Sequence, residues 1–280
     1  MGLRVLKPAQ LHSDILERII IYSRAGVGKT RLALSLTPRF GKIAYFAADD
    51  NSWLLPSISP KKKDRVYVVR PEGDDITQNF MQFAMQDWKK YDPEINTLVV
   101  DTFTKVGQDA IRFSANSGSV TSEKHYIVGD PTAGGQTIPN RGDYLAIDAL
   151  GRGFIDMLMD KQSHMHVIMV CHEDVKLIEN VHAVGGPSFP GRQMIEYLPA
   201  AFSTVIRLVK EQILIPGHSA PDDVVVAIGD NDGKFIAKMR TIDEENPNPL
   251  ARVILDRNPD SYWVKYDSEH APSTVEATNE

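Results

Sequence analysis

Short apolar runs alternate with stretches of helical periodicity along the first two thirds of the chain. The apolar runs are rich in β-branched residues and predict strands at 18–22, 42–47, 65–69, 97–101 and 167–171. Between them, apolar residues recur at helical spacing and predict helices over about 29–36, 74–91 and 144–161. Because this alternation is typical of a parallel sheet covered by helices, we expect an α/β fold with a mostly parallel central sheet.

The pattern changes toward the C-terminus. Short apolar runs follow one another there without helical periodicity and predict antiparallel strands at 204–209, 224–228, 235–240, 252–255 and 262–265. Two earlier stretches, 105–141 and 174–192, are irregular in composition, and long stretches of this kind are usually functional or mobile. From Tyr266 onward the sequence is acidic, without Lys or Arg. We therefore expect one domain over residues 1–265 and a disordered acidic tail over 266–280.

Composition restricts the possible function classes. The chain has 280 residues, of which 42% are hydrophobic and 24% charged, as in ordinary globular proteins. The sequence contains no apolar run of about 20 residues, so we expect no membrane span. The single cysteine, Cys171, suits a reducing cytoplasm. A net charge of -6 means that any contact with nucleic acid must come from a local basic surface.

The segment SRAGVGKT, residues 23–30, predicts a phosphate-binding loop. It lies between a predicted strand and a predicted helix, which is the context that this motif requires, and only its first glycine is replaced, by Ser23. Glycines let backbone N–H groups turn toward phosphate oxygens, and the helix N-terminus adds positive charge. Lys29 is expected to contact the β and γ phosphates, and Thr30 to bind Mg²⁺. The predicted nucleotide-binding residues are Ser23, Arg24, Ala25, Gly26, Val27, Gly28, Lys29 and Thr30.

Acidic side chains follow two other predicted strands. Asp101 ends the run TLVVD and is the expected second Mg²⁺ partner, rather than a simple cap of the next segment. Asp49 and Asp50 follow the strand after the P-loop helix. Either Asp50 or Asp49 is a candidate for orienting the attacking water, and the alternative is that the pair forms a solvated acidic turn. His172 follows the strand HVIMVC and is a candidate γ-phosphate sensor or a structural hydrogen-bonding group.

Four segments together resemble the RecA-like P-loop ATPases, most closely the small RecA/RadB-like recombination ATPases of bacteriophages. They are SRAGVGKTRLALSL, FAADDNSW, NTLVVDTFT and HVIMVCHED, and the passage GGPSFPGRQMIEYLPAAFSTVIRL also fits. The resemblance extends over most of residues 15–257. It implies ATP and Mg²⁺ as cofactors, single-stranded DNA as partner and assembly into a ring or filament.

The resemblance also implies functions for the later residues. In RecA-like proteins, two loops contact single-stranded DNA, and these correspond to 105–141 and 174–192. Candidate base-stacking residues are Phe113, Tyr126 and Phe189. Lys238 and Arg240 have the Lys-x-Arg spacing of cations that reach a neighbouring subunit's γ phosphate. The candidate DNA-phosphate contacts are Arg112, Lys124, Arg141, Lys176 and Arg192.

The leading hypothesis is an ATP-hydrolysing recombination or annealing factor that acts on single-stranded DNA. Its acidic tail would either regulate DNA access, dock a partner such as a single-strand-binding protein, or only increase solubility. One alternative is a nucleotide-gated assembly or packaging accessory protein. Another is a P-loop kinase of small molecules, which is disfavoured because the segment 105–141 has only two arginines where kinases carry an Arg-rich lid.

Overall fold

The computed structural model describes residues 16–49, 60–73, 75–117, 126–128, 136–138, 141–178, 182–191, 193–214, 219–239, 250–255 and 259–270. Its strands, in chain order, are β1 (Arg18–Ser23), β2 (Lys42–Ala47), β3 (Val66–Val69), β4 (Ile95–Asp101), β5 (Tyr126–Val128), β6 (Gln136–Ile138), β7 (His166–Ile178), β8 (His182–Pro187), β9 (Thr204–Ile213), β10 (Asp222–Ile228) and β11 (Arg252–Leu255). Its α-helices are α1 (Lys29–Ala33), α2 (Ile76–Met85), α3 (Trp88–Tyr91), α4 (Phe103–Ser117), α5 (Arg141–Lys161), α6 (Met194–Ala201) and α7 (Asp260–His270).

One large sheet organises these elements, apart from β5 and β6, which pair with each other in a separate sheet. The strand order is β11-β10-β9-β1-β7-β4-β2-β3, and β8 pairs with β7 as a hairpin. The strands from β9 to β3 in this order are parallel, whereas β10 and β11 are antiparallel to their neighbours. The predicted α/β class is confirmed: a mostly parallel central sheet, flanking helices and antiparallel strands toward the C-terminus.

Alternation along the strands gives the sheet two apolar faces. In β1, Ile20 and Tyr22 belong to one buried cluster, and Ile19 and Ile21 belong to the other. The first cluster includes residues of α2, α4, α5 and α6, and the second includes residues of α1 and α7. The sheet is therefore buried on both faces, as expected of a parallel sheet.

The prediction of an irregular segment over 105–141 is wrong at its start, because α4 begins at Phe103 and extends to Ser117. Phe103, Val106 and Ala110 are fully buried and have the spacing of one helix face. Gly107 interrupts the apolar pattern in the sequence. A Cβ there would lie 2.6 Å from the Phe189 ring, so glycine permits the close approach of the chain that follows β8.

The segment 174–192 also contains regular structure. β7 continues beyond Cys171 to Ile178 and turns back as β8, with Glu173 opposite Pro187. The polar residues that follow the apolar run therefore lie within a strand, and the hairpin extends this strand past its neighbours. The prediction that β7 ends at Cys171 is wrong.

The prediction of a strand near the C-terminus is also wrong. Residues 262–265 lie in helix α7, and the strand predicted there is absent. Tyr262, Trp263 and Tyr266 are fully buried, and their spacing is that of one face of a helix. The helix crosses the predicted domain boundary at residue 265 and continues to His270. The segment predicted as a strand at 235–240 forms isolated bridges at Phe235 and Lys238.

Candidate nucleotide-binding site

The P-loop connects β1 to α1 at the carboxyl edge of the parallel strands. Gly26 has φ 73° and Gly28 has φ 109°, and these are left-handed conformations that L side chains rarely adopt. Val27 is buried in the apolar cluster beneath the loop, whereas Arg24 is exposed. The loop is therefore anchored by one apolar side chain while its glycines curl the backbone at the start of α1.

Ser23 has a specific role that the motif alone does not reveal. Its side chain is fully buried, and its Oγ donates to the carbonyl of Arg24 at 2.8 Å. The same Oγ accepts a hydrogen bond from Lys29 Nζ at 3.3 Å. The serine at the first position of the loop thus helps to hold the loop's lysine, which a glycine side chain cannot do.

Lys29 lies against the loop's own backbone. Its ammonium donates to the carbonyl of Arg24 at 3.0 Å and to that of Ser23 at 3.2 Å. Burial lowers the pKa of Lys29, whereas the negative charge of Asp101 acts in the opposite direction. A cation that is held mainly by neutral carbonyls is well placed to transfer its hydrogen bonds to an anionic ligand.

Thr30 and Asp101 meet across the edge of the sheet. Thr30 Oγ1 donates to Asp101 Oδ2 at 2.5 Å, and the hydroxyl of Tyr45 donates to the same oxygen at 2.9 Å. Burial raises the pKa of Asp101, while these two hydrogen bonds lower it. Because the Thr30 hydroxyl uses its hydrogen to donate to the carboxylate, its oxygen lone pairs are available to a metal ion.

This donor set fits Mg²⁺, which prefers oxygen ligands and usually keeps several waters and substrate phosphates. Within the described part of the chain, no group of three or more His, Cys, Asp or Glu side chains could hold a metal ion. A Mg²⁺ ion bound by Thr30 and Asp101 would therefore take its remaining ligands from water and phosphate.

His172 and Asp49 lie beside this pair. His172 pairs in register with Ser23, on the strand between β1 and β4. Burial lowers the pKa of His172, the charge of Lys29 lowers it further, and the charge of Asp49 raises it. Asp49 is exposed two residues after the end of β2, and Asp50 lies outside the described residues. The structure thus brings His172, Asp49, Lys29 and Asp101 to one edge, which we call the nucleotide edge.

Thr104 is a further polar residue at the nucleotide edge that the sequence analysis missed. Its Oγ1 accepts from the backbone N–H of His172 at 2.9 Å and donates to the carbonyl of Ser188 at 2.6 Å. The N–H of Ser188 donates in turn to the carbonyl of His172 at 2.7 Å. The start of α4 is therefore hydrogen-bonded to β7 at His172 and to Ser188, directly after β8, at the base of the β7–β8 hairpin.

A group of charges around Glu173 was also missed. This carboxylate has a side chain only 5% exposed and pairs with Arg207 at 2.8 Å and with Arg24 at 3.4 Å. The guanidinium of Arg207 lies 3.2 Å from the centroid of the Phe235 ring. These contacts connect the P-loop to β9 and to the segment that precedes Lys238. The sequence signal was present in HED, but only the extension of β7 places Glu173 here.

Among the candidate DNA-contact residues, the structure describes the side chains of Arg112 and Phe189. Arg112 is exposed on α4. Phe189 is 1% exposed and stacks on Phe103 with ring centroids 4.7 Å apart, so the prediction that it stacks on bases is wrong. Lys124 and Arg192 lie outside the described residues, as do the side chains of Phe113, Tyr126, Arg141 and Lys176.

The two candidate trans-acting cations are only partly described. Lys238 is half-buried, and its backbone exchanges hydrogen bonds with Val205 of β9 at 2.7 and 3.1 Å. Arg240 lies outside the described residues. The proposed function of this pair remains a prediction.

Comparison with known proteins gives the family. Residues 17–209 match the AAA domain family, which is more than half of the chain and includes the P-loop, Asp101 and His172. The chain belongs to the AAA domain family. As an AAA domain it has the P-loop type of nucleotide-binding core, in agreement with the arrangement of Lys29 and Thr30. No curated protein showed a significant match to it.

Among solved structures, the RadB recombinase is similar to this AAA domain with a TM-score of 0.40 and 16% sequence identity. The match covers 75% of this chain and 78% of that chain. No helix in the described ranges combines the length and apolar character needed to cross a membrane.

Proposed function

We propose that this AAA domain is a Mg²⁺-dependent ATPase that acts on single-stranded DNA in recombination or annealing. The observation that carries the ATPase part is the hydrogen bond between Thr30 and Asp101 beside Lys29. These three side chains come from the P-loop helix and a separate strand, and they supply one cation, one hydroxyl and one carboxylate to the same edge. Nucleoside triphosphate sites require these groups.

Each residue has a defined task in the proposed reaction. Backbone N–H groups of residues 24–30 bind the phosphates, and Lys29 contacts the β and γ phosphates. Thr30 and Asp101 hold Mg²⁺, which when bound neutralises charge on the β and γ phosphates. Asp49 or Asp50 orients the attacking water and takes its proton as the water oxygen bonds to the γ-phosphorus. The bond between the γ-phosphorus and the bridging oxygen breaks, and ADP and inorganic phosphate are released.

His172 is the proposed γ-phosphate sensor. It lies in β7, whose continuation forms the β7–β8 hairpin, and its backbone is bonded to Thr104 and Ser188. A change at the γ phosphate that moves His172 would therefore reach the hairpin through covalent and hydrogen-bonded neighbours. This hairpin corresponds to the second of the two proposed DNA-binding loops.

The DNA part of the proposal depends on local charge, because the chain has a net charge of -6. The test is release of inorganic phosphate from ATP with Mg²⁺ or with EDTA, with and without single-stranded DNA, at several salt concentrations. We expect Mg²⁺-dependent hydrolysis that DNA stimulates at low salt, with stimulation falling as salt rises, because phosphate contacts release counterions. Equal rates of hydrolysis with and without DNA at every salt concentration would instead favour a nucleotide-gated accessory protein.

Assembly is a further part of the proposal. Lys238 and Arg240 are proposed to complete the nucleotide site of a neighbouring subunit, and such cations raise turnover by roughly 10³–10⁵ where they act as arginine fingers. We expect Arg240→Ala to slow hydrolysis at saturating protein while ATP affinity is unchanged. Unchanged turnover in this variant would exclude the trans-acting function.

A further inference from the structure

The hydroxyl of Tyr45 contacts the proposed Mg²⁺ carboxylate directly. Tyr45 lies on β2, between β4 and β3 in the sheet, and its hydroxyl donates to Asp101 Oδ2 at 2.9 Å. We infer that Tyr45 is a positioning residue that fixes the Asp101 carboxylate for Mg²⁺–nucleotide binding. This inference rests on the proposed function, since it concerns the metal that the ATPase would use.

The surroundings of Tyr45 explain why its hydroxyl matters. Tyr45 is 1% exposed and Asp101 is 1% exposed, so water gives little compensation to the carboxylate. A buried carboxylate without hydrogen-bond partners is costly, and each donor that it accepts favours the ionised form. The ring packs in the apolar cluster with Ile43 and Val99. Phenylalanine would fill the same space, and only the hydroxyl reaches Asp101.

The two donors to Asp101 differ in what holds them. Thr30 belongs to the five-residue helix directly after the P-loop, whereas Tyr45 pairs with Val99 inside the parallel sheet. Both hydroxyls donate to Oδ2. Tyr45 therefore keeps the carboxylate oriented from the rigid sheet, independently of how the P-loop rearranges around a nucleotide. Partners of this kind, which orient a metal's ligands, typically contribute about 10- to 100-fold in metal affinity.

The chain offers a matched control. Tyr67, on the neighbouring strand β3, donates to Asp92 Oδ2 at 2.5 Å. Asp92 precedes β4, whereas Asp101 ends it. Tyr67→Phe therefore removes the same kind of hydrogen bond at the opposite end of β4, away from the nucleotide edge.

The experiment titrates a fluorescent ATP analogue onto wild type, Tyr45→Phe and Tyr67→Phe, in EDTA and at increasing Mg²⁺. We expect wild-type affinity in EDTA for all three proteins, and an about 10- to 100-fold higher Mg²⁺ requirement only for Tyr45→Phe. Thermal unfolding of each variant measures any general loss of structure.

The outcomes separate the two levels of the proposal. A Tyr45→Phe protein with the wild-type Mg²⁺ requirement overturns the positioning function, as does an equal loss of affinity in EDTA and Mg²⁺, which indicates a structural function only. If Mg²⁺ does not strengthen nucleotide binding to the wild type, this result contradicts both the proposed Mg²⁺-dependent ATPase function and the inference about Tyr45.

Discussion

Thr30 Oγ1 lies 2.5 Å from Asp101 Oδ2, although 71 residues separate them in the chain. The contact exists because β1 and β4 flank β7 in the sheet and end at the same edge. A P-loop hydroxyl and the carboxylate of another strand therefore form one polar pair. The chemistry proposed for this chain depends on that pair.

Replacing the Thr30 hydroxyl should weaken the response to Mg²⁺. Thr30→Val keeps the shape of the side chain but removes the oxygen, whereas Thr30→Ser keeps the oxygen and serves as the control. We expect Thr30→Val to raise the Mg²⁺ concentration for half-maximal hydrolysis by at least about 10-fold. Equal Mg²⁺ dependence of Thr30→Val and wild type would show that this hydroxyl does not act on the metal.

The Thr104 hydroxyl should stabilise the base of the β7–β8 hairpin. Thr104→Val leaves the N–H of His172 and the carbonyl of Ser188 without their partner, at a cost of about 1–3 kcal/mol. Amide hydrogen exchange should become faster in the peptides that contain His172 and Ser188. Thr104→Ser retains both bonds and should exchange like wild type. Similar exchange in Thr104→Val would mean that the backbone bond between His172 and Ser188 is sufficient.

Sequence patterns predicted those parts of the fold and site that depend on local signals. The alternation of β-branched runs and helical spacing is local, and so is the P-loop motif with its strand and helix. The partners of these residues are not local. In the sequence pattern, Tyr45 is only one of the apolar residues of a predicted strand. The pairing of β2 with β4 places it opposite Val99, near the end of β4. Likewise, nothing in the sequence near Thr104 indicates that its hydroxyl donates a hydrogen bond to the Ser188 carbonyl.

The errors at the C-terminus have a related cause. Tyr262, Trp263 and Tyr266 are aromatic residues in a polar segment, and such short runs are compatible with a strand or with one face of a helix. Packing against α1 decides for the helix, because Trp263 Nε1 donates to the carbonyl of Leu32 at 2.8 Å. That contact joins residues that are 231 positions apart, so the sequence around Trp263 contains no signal that predicts it.

Helix α7 should therefore contribute strongly to stability. Trp263 is fully buried, whereas its neighbour Val264 is 62% exposed. Trp263→Ala should lower the free energy of unfolding by about 3–5 kcal/mol, because it creates a cavity and removes one hydrogen bond to the Leu32 carbonyl. Val264→Ala is the matched control and should change it by less than about 0.5 kcal/mol. Urea denaturation measures the change in unfolding free energy for both variants. Equal changes would show that the buried indole of Trp263 does not stabilise the fold.

Stability should also depend on the protonation of His166. Its Nδ1 accepts a hydrogen bond from the backbone N–H of Glu17 at 3.0 Å. Burial, together with the charges of Arg39 and Arg18, lowers the pKa of His166 from 6.5 to about 4. Between these values the unfolded chain binds a proton that the folded chain does not, so stability is lost as the pH falls below about 6.5.

The expected loss between pH 7 and pH 5 from this residue is about 2 kcal/mol. His166→Asn retains an acceptor for the Glu17 N–H but does not titrate, so its unfolding free energy should fall less over the same range. Urea denaturation at the two pH values gives the comparison. Identical pH dependence of the two proteins would show that His166 does not resist protonation in the folded state.

Phosphate release from ATP by wild type and Lys29→Ala, with saturating Mg²⁺, tests the central claim most directly. Lys63→Ala is the control, since Lys63 is exposed and precedes β3, at the opposite edge of the sheet from the P-loop. Removing one positioned cation from a phosphoryl-transfer site should lower turnover by about 10²–10³-fold. We predict this loss for Lys29→Ala and wild-type turnover for Lys63→Ala. Wild-type turnover by Lys29→Ala would contradict the assignment of an ATPase site to the P-loop.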